Sequence, residues 1–212
     1  MRTRPILIIA AGLALAGALT GCAATSDTPA TAPSSPSADA GTSSAAAFFA
    51  RGSAADIAFA QLMIPHHQQA IEMADMATAN ATSPEVKALA AAIKAAQDPE
   101  ITMMRQWLGD WGAPITMPGT TDAGTDHGDM DMGGMTASGM MTAQDMDTLA
   151  MATGTGFDTM WLQMMIAHHQ GAISMAEQVA STTTNPDVKA LADGIISGQE
   201  AEIATMQELL TT

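Results

Sequence analysis

Two pairs of adjacent histidines, His66-His67 and His168-His169, are the side chains of this sequence best suited to chemistry. Each pair is flanked by thioethers, Met63 and Met73 around the first and Met165 and Met175 around the second. Imidazole alone would admit zinc, nickel or copper. Adding thioethers shifts the preference towards copper, above all Cu(I), and away from magnesium, calcium and manganese. A lone histidine on an apolar face is commonly a core residue, and methionine is a flexible core filler. Adjacent histidines with flanking methionines, kept twice in one chain, fit ligation better than filling. The use of Met and His rather than Cys also suits an oxidising compartment, where exposed thiols are consumed.

These residues need a helix to bring them to one side. With His66 at zero and about 100° per residue, Met73 falls near −20°, Phe59 near 20°, Ala70 near 40°, Met63 near 60° and His67 near 100°. Asp56 lies on the same stripe, near about 80°, and Ala70 leaves room where a larger residue would fill the space. The spacing therefore predicts that both histidine pairs point into a bundle. A second stripe, from Val86 through Leu89, Ile93, Met104 and Leu108, is interrupted by Gln97 and Glu100, as its later counterpart is by Gln199 and Glu202. Buried polar groups need partners, and a ligating imidazole is one. Asp56, Asp158, Gln97, Glu100, Gln199 and Glu202 are accordingly candidates for orienting the ligands from behind.

The histidine segments belong to a duplication. A shift of 102 residues, without a gap, lays Asp56-Ile-Ala-Phe-Ala-Gln-Leu-Met-Ile-Pro-His-His-Gln-Gln-Ala-Ile-Glu-Met-Ala on Asp158-Thr-Met-Trp-Leu-Gln-Met-Met-Ile-Ala-His-His-Gln-Gly-Ala-Ile-Ser-Met-Ala. Each copy reads as two helices, the first over about residues 54–78 and 157–180. Ser83-Pro84-Glu85 and Asn185-Pro186-Asp187 mark the second starts, a capping side chain before a proline at the first helical position. Short connections make antiparallel hairpins, and two hairpins make a four-helix bundle. Ala and 19 Met favour helix, and the runs expected of strands are missing, so the class is all-α. Repeat 1 spans about 54–110 and repeat 2 about 156–210. Pro99 is expected to kink or break its helix, and Pro65, opposite Ala167, to make the halves differ locally.

A Gly/Asp/Met segment, 112–141, links the copies. Its His127, Met130, Met132 and Met135, followed by Met140-Met141, could wrap a soft ion in a loop. Thr142 then caps a short helix, which Gly154 and Gly156 are expected to end.

The motifs Met-Ile-x-His-His-Gln-x-Ala-Ile-x-Met-Ala, the upstream Asp56-x-x-Phe59 and the downstream Gln-x-x-Glu-Ile-x-x-Met resemble the domain of unknown function family 305 over residues 54–210. The resemblance implies a ferritin-like four-helix bundle in secreted bacterial proteins, with members linked to copper binding and tolerance. Carried across, it marks Met63, His66, His67, Met73, Met165, His168, His169 and Met175 as ligands.

The N-terminus reads as an address. Arg2 and Arg4 precede an apolar run, Ile6 to Leu19, too short to span as a mature helix. Leu19-Thr20-Gly21-Cys22 resembles a lipobox, which would make 1–21 a signal peptide and Cys22 the acylated N-terminus. Residues 22–47 are Ala/Ser/Thr/Pro/Gly-rich and read as a disordered tether, leaving 48–212 as one domain. With Arg2 and Arg4 removed, five basic residues face 22 acidic ones, a charge of −17 that disfavours nucleic acid and attracts cations. The expected location is the outer face of the cytoplasmic membrane, or the periplasm or extracellular space, with the protein held by its lipid.

Catalytic signatures are missing. Di-iron carboxylate bundles need Glu-x-x-His, whereas Glu72 follows His67 and the other copy has Ser174. The sequence therefore points to metal binding rather than catalysis. The rival readings are a metal-free surface interaction module and a ferritin-like metal oxidase.

Overall fold

The computed structural model describes residues 52–117 and 139–211, and every regular element among them is helical. The signal segment, Cys22, the tether and the loop residues His127, Met130, Met132 and Met135 lie outside the described residues. The helices are α1 (Ala54–Asn80), α2 (Pro84–Asp110), the short α3 (Ala143–Met151), α4 (Gly154–Thr182) and α5 (Pro186–Leu209).

The caps explain where the helices begin. The Ser53 hydroxyl accepts from Asp56 N while the Asp56 carboxylate accepts from Ser53 N, a reciprocal capping box at α1. Thr142 and Asp145 do the same for α3. Ser83 and Asn185 cap α2 and α5 through two backbone N–H groups each, with proline at the start of both helices.

Pro99 does not break α2, which runs on to Asp110, and α1 likewise continues through Pro65. Pro99 and Ala95, whose carbonyl loses its bond, are both exposed, so water can take over that acceptor. Gly154 and Gly156 stand in the first turn of α4 rather than ending α3, which stops at Met151. First-turn N–H groups have no intrahelical acceptor in any case, so weak helix formers are tolerated there.

α1 packs along α2 and α4 along α5, and the hairpins meet chiefly through antiparallel α1 and α4. The apolar core falls into two clusters. One joins the first half of α1 (Phe59, Met63, Ile64) to the second half of α4 (Met175, Val179), with Leu108 and Ile195. The other joins the second half of α1 (Met73, Ala77) to the first half of α4 (Phe157, Trp161, Met165), with α3 contributing Met146 and Leu149. The buried Trp161 indole donates to the Met73 carbonyl at 2.8 Å, so tryptophan where the first copy has Phe59 adds a bond between hairpins.

Two carboxylates expected behind the ligands are engaged elsewhere. Asp158 accepts from Thr82 N at 2.9 Å and Ser83 N at 2.8 Å, tying α4 to the α1–α2 turn. Asp56 closes its own capping box. Each lies ten residues before its histidine, about 15 Å along the axis. The helical wheel gives the correct face and no axial distance. Asp158→Ala is expected to cost about 2–4 kcal/mol by orphaning two backbone donors, without changing metal stoichiometry. Urea unfolding beside metal analysis checks this, and a loss of metal at unchanged stability would restore Asp158 to the site.

Candidate metal centre

The four imidazoles form a buried layer between the two apolar clusters. His66, His67 and His169 are 0% exposed and His168 1%. The rings of His66 and His168, one from each hairpin, lie 3.8 Å apart centroid to centroid, tilted by 42°. This layer is where α1 crosses α4.

The outer histidines are held identically. His67 Nε2 donates to Glu100 Oε2 at 2.7 Å, and His169 Nε2 donates to Glu202 Oε2 at 2.7 Å. An ionised carboxylate only accepts, which assigns a proton to Nε2 and makes Nδ1 the lone pair whenever the ring is neutral. Both Nδ1 atoms are buried without a hydrogen bond. So are Nδ1 and Nε2 of His168 and the amide oxygens of Gln97 and Gln199, themselves buried on α2 and α5. Unpaired buried nitrogens are costly, about 1–3 kcal/mol each, and a concentration of them calls for a partner that accepts lone pairs.

Protonation of His168 is resisted. Burial first, and then the neighbouring His66, His169 and His67, hold His168 well below the usual imidazole range, with the His66 backbone pulling weakly the other way. A neutral imidazole is the form that ligates metal.

The methionines are sorted differently from the sequence expectation. All four are buried, but Met63 shares its cluster with Met175, and Met73 shares the other with Met165. Met63 and Met73 are ten residues apart, about 15 Å along α1, too far to close on one ion. Antiparallel packing instead provides a thioether from each hairpin on either side of the histidine layer. Ala172 belongs to the cluster of Met63, and Ala70 to that of Met165, so each alanine makes room for the other hairpin's methionine.

The nitrogens are gathered rather than converged. Among the described residues, no three His, Cys, Asp or Glu side chains share a preformed ligand point. His66 and His168 meet ring to ring, tilted by 42°, and thioethers are the further donors within the core. The donor set fits a soft ion: lone-pair nitrogens fixed by carboxylates, thioethers above and below, and no free carboxylate among them.

The same architecture occurs in solved structures. The model of the family described as Domain of unknown function (DUF305) matches residues 56–210. A DUF305 protein of Streptomyces coelicolor is 34% identical with a TM-score of 0.64, over 74% of this chain and 91% of that one. CopM in its Cu(I)-bound form is 34% identical with a TM-score of 0.59, over 74% and 95%. CopM in its Cu(II)-bound form is 36% identical with the same TM-score and coverage. No functionally curated protein matches the chain. With the match running from Asp56 to Leu210, through both histidine hairpins, the chain belongs to the DUF305 family.

Proposed function

We propose that this is an extracytoplasmic copper-binding protein, which sequesters copper in the histidine layer and is anchored outside the cytoplasm through a lipid on Cys22. The observation that carries the reading is the pair of buried, unpaired Nδ1 atoms of His67 and His169, oriented by Glu100 and Glu202 beside the His66–His168 stack. CopM structures with Cu(I), Cu(II) and silver support it, as does the acidic surface, which raises the local concentration of cations. The lipobox-like Leu19–Cys22 supports the anchor.

His66, His67, His168 and His169 would hold the copper, with one thioether pair completing the donor set, Met63 with Met175 or Met73 with Met165. The donor set is read as one for binding rather than catalysis. The stacked rings would also suit a metal-free bundle, and copper retention separates the two readings. The chain should keep copper through gel filtration when loaded with Cu(I) or Cu(II), and a chain that elutes free of both would overturn the proposal. Changing Met63, Met73, Met165 and Met175 to leucine should weaken Cu(I) by about tenfold or more while sparing Cu(II), since thioethers prefer the softer ion. Equal losses for both ions would remove methionine from the ligand set.

A further inference from the structure

The layer has a built cover on one side. Gly139, Met140 and Met141 run as a strap from α4 to α1, just before α3. Gly139 has φ 92°, and a Cβ there would lie 2.6 Å from the Ala167 carbonyl oxygen and 2.9 Å from Gly171 Cα. Met141 N donates to Gln69 Oε1 at 2.7 Å, and Gln69 Nε2 donates back to the Met141 carbonyl at 2.8 Å. The strap thus touches α4 one residue before and three residues after His168, and grips α1 three residues after His66. Residues three apart are neighbours on a helix surface, so the strap crosses the α1–α4 seam level with the stacked rings. α2 and α5, which reach His67 and His169 through Glu100 and Glu202, approach from about 100° further round each helix.

The duplication is broken where the strap sits. Between Met63 and Ala74 the copies differ at three positions: Pro65 against Ala167, Gln69 against Gly171, and Glu72 against Ser174. The strap uses the second difference on both helices. Gln69 supplies the amide that pins Met141, and Gly171, without a side chain, lets Gly139 approach the α4 backbone beside the Ala167 carbonyl. Beneath it, His168 is 1% exposed with both ring nitrogens lacking a hydrogen bond. The Met141 side chain packs against the cluster that holds Met73 and Met165.

We propose that the Gly139–Met141 strap is the gate through which copper reaches and leaves the histidine layer, with the Met141 thioether as an added Cu(I) ligand at that opening. The inference rests on the copper-binding reading. It makes the two sides of a duplicated layer unequal, with the strapped side receiving the ion first.

Two variants loosen the strap without touching a proposed ligand. Gly139→Val drives a branched side chain into the α4 backbone, and Gln69→Leu removes both hydrogen bonds to Met141. In the metal-free chain, carbethoxylation of His66 and His168 by diethyl pyrocarbonate, read peptide by peptide, should quicken about tenfold or more, the scale of losing two hydrogen bonds. Cu(I) transfer to and from a chromogenic chelator should quicken likewise, with copper per chain unchanged. Met141→Leu keeps the strap's backbone bonds and should slow Cu(I) uptake while leaving Cu(II) uptake alone. Unchanged histidine reactivity in both loosened variants would overturn the gate, as would faster reactivity with unchanged Cu(I) rates. Equal Cu(I) rates in Met141→Leu and the parent would overturn its role as a ligand. A parent chain that binds no copper would instead fail the reading beneath the proposal, a result distinct from binding at unaltered rates.

Discussion

Replacing His66 and His67 by leucine is expected to remove the copper held in the core, and replacing His168 and His169 is expected to remove the same copper. The stacked rings come from different hairpins, so an ion in the layer draws on both helices. The loss should exceed about 100-fold in affinity, the upper range seen when only the partners behind the ligands are removed. Independent sites would instead each lose one ion and spare the other. Leucine roughly fills the space of imidazole, and it withdraws the unpaired Nδ1 atoms of His67 and His169 from the core. The metal-free variants should therefore unfold no more easily than the parent, since replacing unsatisfied polar groups by apolar ones is nearly neutral or stabilising. Glu100 and Glu202, at 23% and 19% side-chain exposure, can turn to water when their partners go. Copper lost at undiminished stability is the signature of residues kept for binding. Copper retained by the fourfold variant would return the histidines to the core.

Acid should weaken the metal-free bundle. His168 is held below the usual imidazole range in the folded chain, while in the unfolded chain it titrates near about 6.5. Above about 6.5 both states are neutral and pH has no effect through this group. Below it the unfolded chain takes a proton that the folded chain refuses, so stability falls as pH falls. Between about pH 7.5 and 5.5 the loss from His168 alone is about 1.4 kcal/mol. Urea midpoints of the parent and His168→Leu check this, the difference between them being the contribution of the one residue. Parallel curves over that range would mean that His168 accepts its proton in the folded state.

Much of the architecture is legible in the sequence because it rests on local rules. Ser83-Pro84 and Asn185-Pro186 announce helix starts through capping chemistry, and the 3.6-residue period turns both histidine pairs inward. What a helical wheel omits is distance along the axis and the identity of the neighbour across the seam. Met63 and Met73 share a face of α1, yet the antiparallel packing assigns them to opposite clusters, each beside a methionine of the other hairpin. Asp56 and Asp158 lie on the histidine stripe, yet Asp56 Oδ2 closes a helix cap and both oxygens of Asp158 accept from the neighbouring turn. The Glu100–His67 and Glu202–His169 bonds were foreshadowed by the paired interruptions of an apolar stripe, since polar residues in a core need partners. The grip of Gln69 on Met141, 72 residues away, left only a faint trace, glutamine in one copy against glycine in the other.

The most direct test of a shared copper centre is a crystal structure of the copper-loaded chain, with anomalous scattering recorded at the copper edge. The account predicts a copper peak between α1 and α4, level with His66 and His168, bonded to nitrogens from both hairpins. Copper confined to ligands of one hairpin, or found only outside the histidine layer, would contradict it.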